Sequence, residues 1–375
     1  MDDEVGTRSK TTRRRARAVA VVVTALAGCG ADDPEMLGYA TQYLELTAHA
    51  PVCEGTRRML DAEVERISGE LGLSTPEALS LHFGHDVEDD CQFVGVTGCA
   101  GGLRADAHGS TTLWAAPHEL VHMIRRWHGI TGPDVFEEGI ATILGGGPIS
   151  PASAHLPASA RVLGPTAFLA NPSHAFLDDH DGTSTGAHFL GWLRDDHGAE
   201  AVVQWLSSPA YMRSESADEQ ADVFAEAFGI PLTGAEATWR ASAAADYAFG
   251  TPCPPGVAEL DAHALATSGR LDCELPDTLG PHGEDERISG PPLCFSLPAR
   301  STVEIVLEGP EGFGLSIEHA FAGCDHGTDD DGGRAAIEWG TTQRHVLAGC
   351  TWIVRPQADV DTVGSYAVSV RRIDP

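Results

Sequence analysis

The sequence predicts an α+β domain followed by an all-β antiparallel sandwich, and three features of its patterning lead there. Strand-like alternation and an amphipathic helix come first, ahead of a helix carrying two histidines four residues apart, His118 and His122. Helical periodicity then dominates residues 185–228. Past the break Gly250-Thr251-Pro252-Cys253-Pro254-Pro255-Gly256, the pattern changes to short apolar runs separated by turn-rich spacers.

In the first part, Leu44 and Leu46 alternate with Tyr43, Glu45 and Thr47, so Tyr39 to Ala48 reads as one strand. Arg57 to Leu73 reads as a helix with Leu60, Val64, Ile67 and Leu71 on one face. Ala78 to Phe83 is a second strand. Cys91 to Gly109 is Gly-rich and irregular, and Thr111 to Ala115 is a strand leading into the next helix.

That helix opens with Pro117 at its first position, where a missing N–H costs nothing, and Gly129 stops it. It carries His118-Glu119-Leu120-Val121-His122. Histidines four apart lie one above the other on a helix, so both imidazoles can grip one zinc ion, with Glu119 beside the water that the ion would bind. A hydrolytic zinc needs a third protein ligand. His128 follows six residues after His122, but Arg125 stands where a helix-breaking Gly would be needed to turn it back. On a continuing helix His128 is about 9 Å further along the axis, which excludes it. The next segment, Asp134-Val135-Phe136-Glu137-Glu138-Gly139-Ile140-Ala141, reads as a short apolar helix over Val135–Leu144 holding two carboxylates. Asp134 as N-cap puts Glu137 at the capping-box position and leaves Glu138 free for a metal. Gly139 and Ala141 are small enough to let two helices approach closely around it.

These two segments resemble the gluzincins, the peptidase MA-like zinc proteases of thermolysin fold, which carry H-E-x-x-H on one helix and E-G-x-A on the next. The resemblance is specific over residues 114–144. It implies a zincin-like domain of a small sheet and active-site helix followed by a helical lower lobe. It further implies His118, His122 and Glu138 as zinc ligands, Glu119 as general base, and an edge strand that binds substrate as an added strand. Thr185–Asp196, Ala199–Leu206 and Asp218–Phe228 read as lower-lobe helices. Ala187-His188-Phe189-Leu190-Gly191-Trp192-Leu193 and the later Trp239-Arg240 resemble stretches of the same group. Gluzincins often take an oxyanion donor from this lobe. His188 and His180 are the candidates, with Tyr211 and Tyr247 behind them. The Gly145–Pro157 stretch reads as a loop rimming the cleft.

The sandwich is read from Val303–Leu307, Leu315–Ile317, Ala335–Glu338, His345–Leu347, Thr351–Val354 and Tyr366–Val370. Its closing stretch resembles the pre-peptidase C-terminal domains of secreted bacterial proteases. The acidic run Asp325–Gly333 reads as a solvated hairpin tip, and its spacing only weakly supports Ca2+.

Residues 1–28 read as a signal: Arg13, Arg14, Arg15 and Arg17, then an apolar run too short to span a bilayer. Leu26-Ala27-Gly28-Cys29 resembles the bacterial lipobox, which implies lipidation at Cys29 and a lipid-anchored, cell-envelope protein. The other eight cysteines are an even number for an exported chain, with Cys91–Cys99 and Cys324–Cys350 as local pairings. The chain carries −31; residues 1–28 hold six cations against three anions, so the remainder carries −34. That charge excludes nucleic acid and anionic surfaces as electrostatic partners. The expected organisation is thus signal 1–28, tether 29–37, zincin-like domain 38–250 with lobes 38–145 and 146–250, and sandwich 251–375. The expected function is hydrolysis of protein or peptide substrates with one zinc. The rival is a non-catalytic surface lipoprotein with a degenerate zinc lobe, since no Tyr stands where the family frequently places one.

Overall fold

A computed structural model describes residues 36–83, 91, 98–104, 107–113, 115–146, 152–156, 161–242, 246–250, 253, 257–260, 264–282, 287–319, 335–338 and 340–373. The signal segment, Cys29, Cys324 and the Asp325–Gly333 run lie outside the described residues.

The stretch read as one strand is two, β1 (Leu37–Ala40) and β2 (Leu44–Ala48), paired antiparallel. The Asp61 carboxylate makes the turn: it accepts from the Thr41 hydroxyl at 2.5 Å and from the backbone N–H groups of Gln42 and Tyr43. Helix α1 (Glu54–Glu70) crosses over to β3 (Leu79–Phe83), which runs parallel to β2. Its periodic face, Leu60, Val64 and Ile67, is buried as predicted. The region read as irregular holds β4 (Gly98–Gly101) and β5 (His108–Thr111). Three glycines in these eight residues hide the alternation that marks a strand. The mixed sheet has the order β1-β2-β3-β5-β4, with β4 antiparallel on the edge.

Against this sheet lies α2 (Ala116–Trp127), followed by α3 (Asp134–Leu144). Pro117 stands within the first turn of α2, after Ala116, and Gly129 ends the helix at φ +73°. The helical part continues with α4 (Pro165–Ala170), α5 (His174–Asp179), α6 (Gly182–His197), α7 (Ala199–Leu206), α8 (Pro209–Arg213), α9 (Ala217–Phe228) and α10 (Leu232–Ala241). The rim read as a loop includes β6 (Ala152–His155), paired with β7 (Asp246–Gly250). One apolar core runs from Leu44 on the sheet through Leu120, Ile140 and Phe189 to Trp239. Gly139 packs against α6 rather than α2: an added Cβ there would lie 2.7 Å from the Gly186 carbonyl carbon.

The C-terminal part is an antiparallel β-sandwich. Its added strands are β8 (Leu265–Leu271), β9 (Leu279–His282), β10 (Arg287–Ser289) and β11 (Leu293–Ser296). The runs predicted from sequence lie in β12 (Ser301–Glu308), β13 (Gly314–His319), β14 (Ala335–Glu338), β15 (Thr342–Leu347), β16 (Thr351–Asp359) and β17 (Gly364–Arg372). One sheet has the order β14-β13-β16-β10-β9 with β11 also on β16; the other is β15-β12-β17-β8. Ile305, Phe295, Val354 and Val368 fill the space between them.

The sandwich is fastened to α1. Cys53 is disulfide-bonded to Cys273, 220 residues away. Beside it the Cys53 N–H donates to the Gly280 carbonyl and the Glu54 N–H to the Cys273 carbonyl. The Thr56 hydroxyl both donates to the Gly280 carbonyl and accepts from its N–H, at 2.9 and 2.8 Å. Sandwich carbonyls therefore satisfy donors at the start of α1, which explains why the helix begins before its predicted Arg57. Cys91–Cys99 is bonded as predicted, and Cys253–Cys294 is a third bridge. Cys350 is also disulfide-bonded. Such bridges persist in oxidising compartments, as expected of an exported chain.

Because Cys53–Cys273 closes a long loop, Cys53→Ser with Cys273→Ser should destabilise the chain by about 2–5 kcal/mol in denaturant unfolding. An unchanged midpoint would show that the hydrogen bonds alone hold the two parts together.

Candidate metal centre

Helices α2 and α3 form an antiparallel hairpin. On α2, residues 118, 122 and 125 lie on one side of the helix, and α3 presents Glu137 and Glu138 to it. The backbones touch at one end. A Cβ on Gly145 would come within 2.8 Å of the His118 Cα, so a bulkier residue would push the helices apart. From α1, Arg66 donates to the Leu144 carbonyl at 2.6 Å and ties down the end of α3.

Between these ends two imidazole nitrogens and the two oxygens of one carboxylate converge. His118 Nε2 is 3.1 Å from Glu138 Oε2, His122 Nε2 is 3.3 Å from Glu138 Oε1, and the two Nε2 atoms are 3.2 Å apart. Among the described residues, this is the one group of three or more His, Cys, Asp or Glu side chains placed to hold a metal. The chemistry of the donor set fits zinc. Two imidazoles and one carboxylate form the His2Glu set of catalytic zinc sites, with bond lengths of about 2.0–2.1 Å. Ligand atoms at that radius around a tetrahedral ion stand about 3.3–3.4 Å apart; the two nitrogens here are 3.2 Å apart, and each lies 3.1–3.3 Å from one or the other Glu138 oxygen. His118 and Glu138 side chains keep 26% and 24% of their surface exposed, so one side of the group is open to water.

Glu119 lies beside this group and is only 5% exposed. Burial pushes its carboxyl up to about 7; the nearby His118 opposes this, the Glu138 carboxylate adds to it, and Arg126 opposes it. Glu138 moves the other way. Burial alone would raise it, but hydrogen bonds and charge interactions with His118 and His122 hold it well below the usual carboxylate range. Edge strand β4 sits directly on Glu119: a Cβ on Gly98 would come within 2.6 Å of the Glu119 carboxylate. An extended chain added to that edge would run past this carboxylate.

Several expectations need correction. His188 does not reach the cleft. It is 0% exposed, its Nδ1 accepts from the Trp239 indole N–H at 2.9 Å, and the Arg161 guanidinium lies 3.5 Å from its Nε2. An oxyanion donor must offer an N–H to substrate, and His188 is packed inside the helical part with the Tyr247 ring against it. His180 sits at the end of α5, its Nδ1 paired with the Phe176 carbonyl. Asp134 is not the N-cap of α3; Pro133 is, and Glu137 makes no capping box. Glu137 instead forms a two-pronged ion pair with Arg125, at 2.8 and 2.6 Å. His128, in contrast, lies apart from the ligands as its spacing predicts, with Nε2 on the Ser74 carbonyl at 2.7 Å. The Arg125–Glu137 pair was missed, although a cation inside Leu120–Ile124–Ile130 and a carboxylate inside Phe136–Ile140 signal buried partners.

No protein-family model matches the chain, and no curated protein matches it. Solved structures similar to it include an M1 zinc metallopeptidase from Deinococcus radiodurans, at 19% identity over 55% of this chain and 51% of that one, with TM-score 0.32. They also include PliG of Aeromonas hydrophila, a periplasmic inhibitor of g-type lysozyme, at 8% identity over 30% of this chain and 88% of that one, with TM-score 0.21. A third is the Yersinia pseudotuberculosis-derived mitogen, at 10% identity over 30% and 89%, with TM-score 0.20. Likenesses this distant carry no argument about activity. The site's own geometry has to carry it.

The raised Glu119 carboxyl has a consequence for the metal-free protein. The native state holds its proton up to about pH 7, whereas the unfolded chain releases it near 4.5. Stability attributable to this group is therefore intact below pH 4.5 and falls by about 3 kcal/mol as pH rises through 7. Chelator-treated wild type should lose that stability relative to Glu119→Gln between pH 4.5 and 7.5. Parallel stability curves would show Glu119 to be solvated.

Proposed function

We propose that this chain is an exported zinc-dependent peptidase of gluzincin type. The observation that carries the reading is the meeting of His118, His122 and Glu138: the two Nε2 atoms are 3.2 Å apart and each lies 3.1–3.3 Å from one of the two Glu138 oxygens, separations suited to a zinc site. Zinc held there would lower the pKa of a bound water and polarise the carbonyl under attack.

The chain's own residues supply the rest. His118, His122 and Glu138 would hold the ion, and the low proton affinity of Glu138 keeps it an anion suited to that task. Glu119, nearly sealed from solvent, takes a proton from water and returns it to the leaving amine. A carboxyl poised near neutrality in the free protein can do both. Edge strand β4 would align an extended peptide by main-chain hydrogen bonds, with Gly98 making room for the Glu119 side chain beneath it. This favours protein or peptide substrates. Cys29 would carry the lipid that anchors the protein to the cell envelope.

The purified chain should hold one zinc, retained by Glu119→Gln and lost in Glu138→Ala. Chelator-sensitive casein cleavage should fall at least about 100-fold in Glu119→Gln. Zinc binding without cleavage of any peptide would favour the non-catalytic lipoprotein. A chain that binds no zinc would end the peptidase reading.

A further inference from the structure

Arg125 and Glu137 neither meet the metal position nor lie where they could move a proton to it, yet they occupy the same hairpin. Arg125 is 0% exposed in the middle of the core, one turn beyond His122 on α2. Its guanidinium grips Glu137 through Nε and Nη2, and Nη2 also donates to the Leu206 carbonyl at 3.1 Å. The Tyr211 hydroxyl donates to the same Glu137 oxygen at 3.2 Å. Burial, followed by the Glu137 charge, drives the Tyr211 pKa well above 10, so its hydroxyl stays a donor. The Tyr211 ring fills the space left by Gly132, in the link between α2 and α3.

We propose that Arg125, Glu137 and Tyr211 are positioning residues of the metal centre: they set the register of α3 against α2 so that Glu138 meets both imidazoles. This rests on the zinc reading above. Glu137 and Glu138 are chain neighbours, so whatever fixes one carboxylate along the helix axis fixes the other. A one-residue slip would move Glu138 by about 1.5 Å and turn it by about 100°, destroying the ligand triangle. A planar guanidinium bound through two nitrogens accepts one register and resists its neighbours, which a point charge would not.

Stability alone does not account for the cluster. Replacing a buried ion pair by apolar groups of similar volume is often neutral or stabilising, and fixing register is the better-attested use of such pairs. The pair also joins the hairpin to the end of α7 and to α8, so the ligand-bearing helices are held by the helical part as well as by each other. Gly145 against His118 closes the opposite end, with the three ligands between the two fastenings.

The test uses the full chain loaded with cobalt(II), whose visible spectrum reports ligand geometry independently of activity, together with zinc affinity by competition. In Arg125→Met with Glu137→Leu, the midpoint of thermal unfolding should stay within a few degrees. Zinc affinity should nevertheless fall about 10–100-fold, as for partners that orient metal ligands, with a changed cobalt spectrum. Tyr211→Phe and Glu137→Gln, milder changes, should shift the spectrum in the same direction with a several-fold loss of affinity. They serve if the double variant does not fold. Folded variants that bind zinc and cobalt as wild type does, with the same spectrum, would overturn the positioning role. Failure of wild type to bind either metal would instead overturn the zinc reading on which it rests.

Discussion

Two imidazole nitrogens 3.2 Å apart, each 3.1–3.3 Å from an oxygen of one carboxylate, are the constraint on which this part of the chain turns. Bringing them there removes polar groups from water, and a carboxylate buried without compensation would take up a proton. The helical hairpin meets that cost by geometry. His118 and His122 stand on one side of α2, and α3 passes close enough at Gly145 for Glu138 to face both. The mixed sheet supports α2 from behind, and α6 presses α3 from the other side through Gly139 and Gly186. The core around the site is continuous from the sheet to α10.

Glu138, Glu137 and Glu119 are chain neighbours of one another or of the ligand histidines, and their surroundings differ. Glu138 faces two imidazoles and stays ionised. Glu137 faces a guanidinium and a phenol and serves structure. Glu119 has mainly burial and the underside of β4 about it, and it holds its proton to near neutral pH. A general base for hydrolysis benefits from such a value, because it must both accept and return a proton.

The β-sandwich is not hung on a loose linker. Its Cys273–Gly280 segment supplies backbone acceptors to the start of α1 and a disulfide to Cys53. Helix α1 in turn reaches the end of α3 through Arg66. A chain of direct contacts therefore leads from the sandwich to the helix that bears Glu138.

Sequence alone determined the parts of the site that depend on local spacing. The i, i+4 pitch of a helix places His118 above His122 wherever that helix lies, and the Glu-Gly-x-Ala helix after it supplies the third donor. Strong period-two runs such as Val303–Leu307 likewise declare their strands. Glycine-rich β4 and β5, Pro- and Gly-broken β9, and the β6–β7 pairing were not legible, since their partners rather than their side-chain pattern make them strands. Nor could spacing tell what Glu137 and His188 face. Glu137 reads as a capping residue and His188 as an oxyanion donor, yet each is bound to residues brought near only by the folded chain, Arg125 and Tyr211 for one, Trp239 and Arg161 for the other. Local geometry follows from the chain's own dihedral preferences, whereas a side chain's partners depend on which distant surfaces the core brings together.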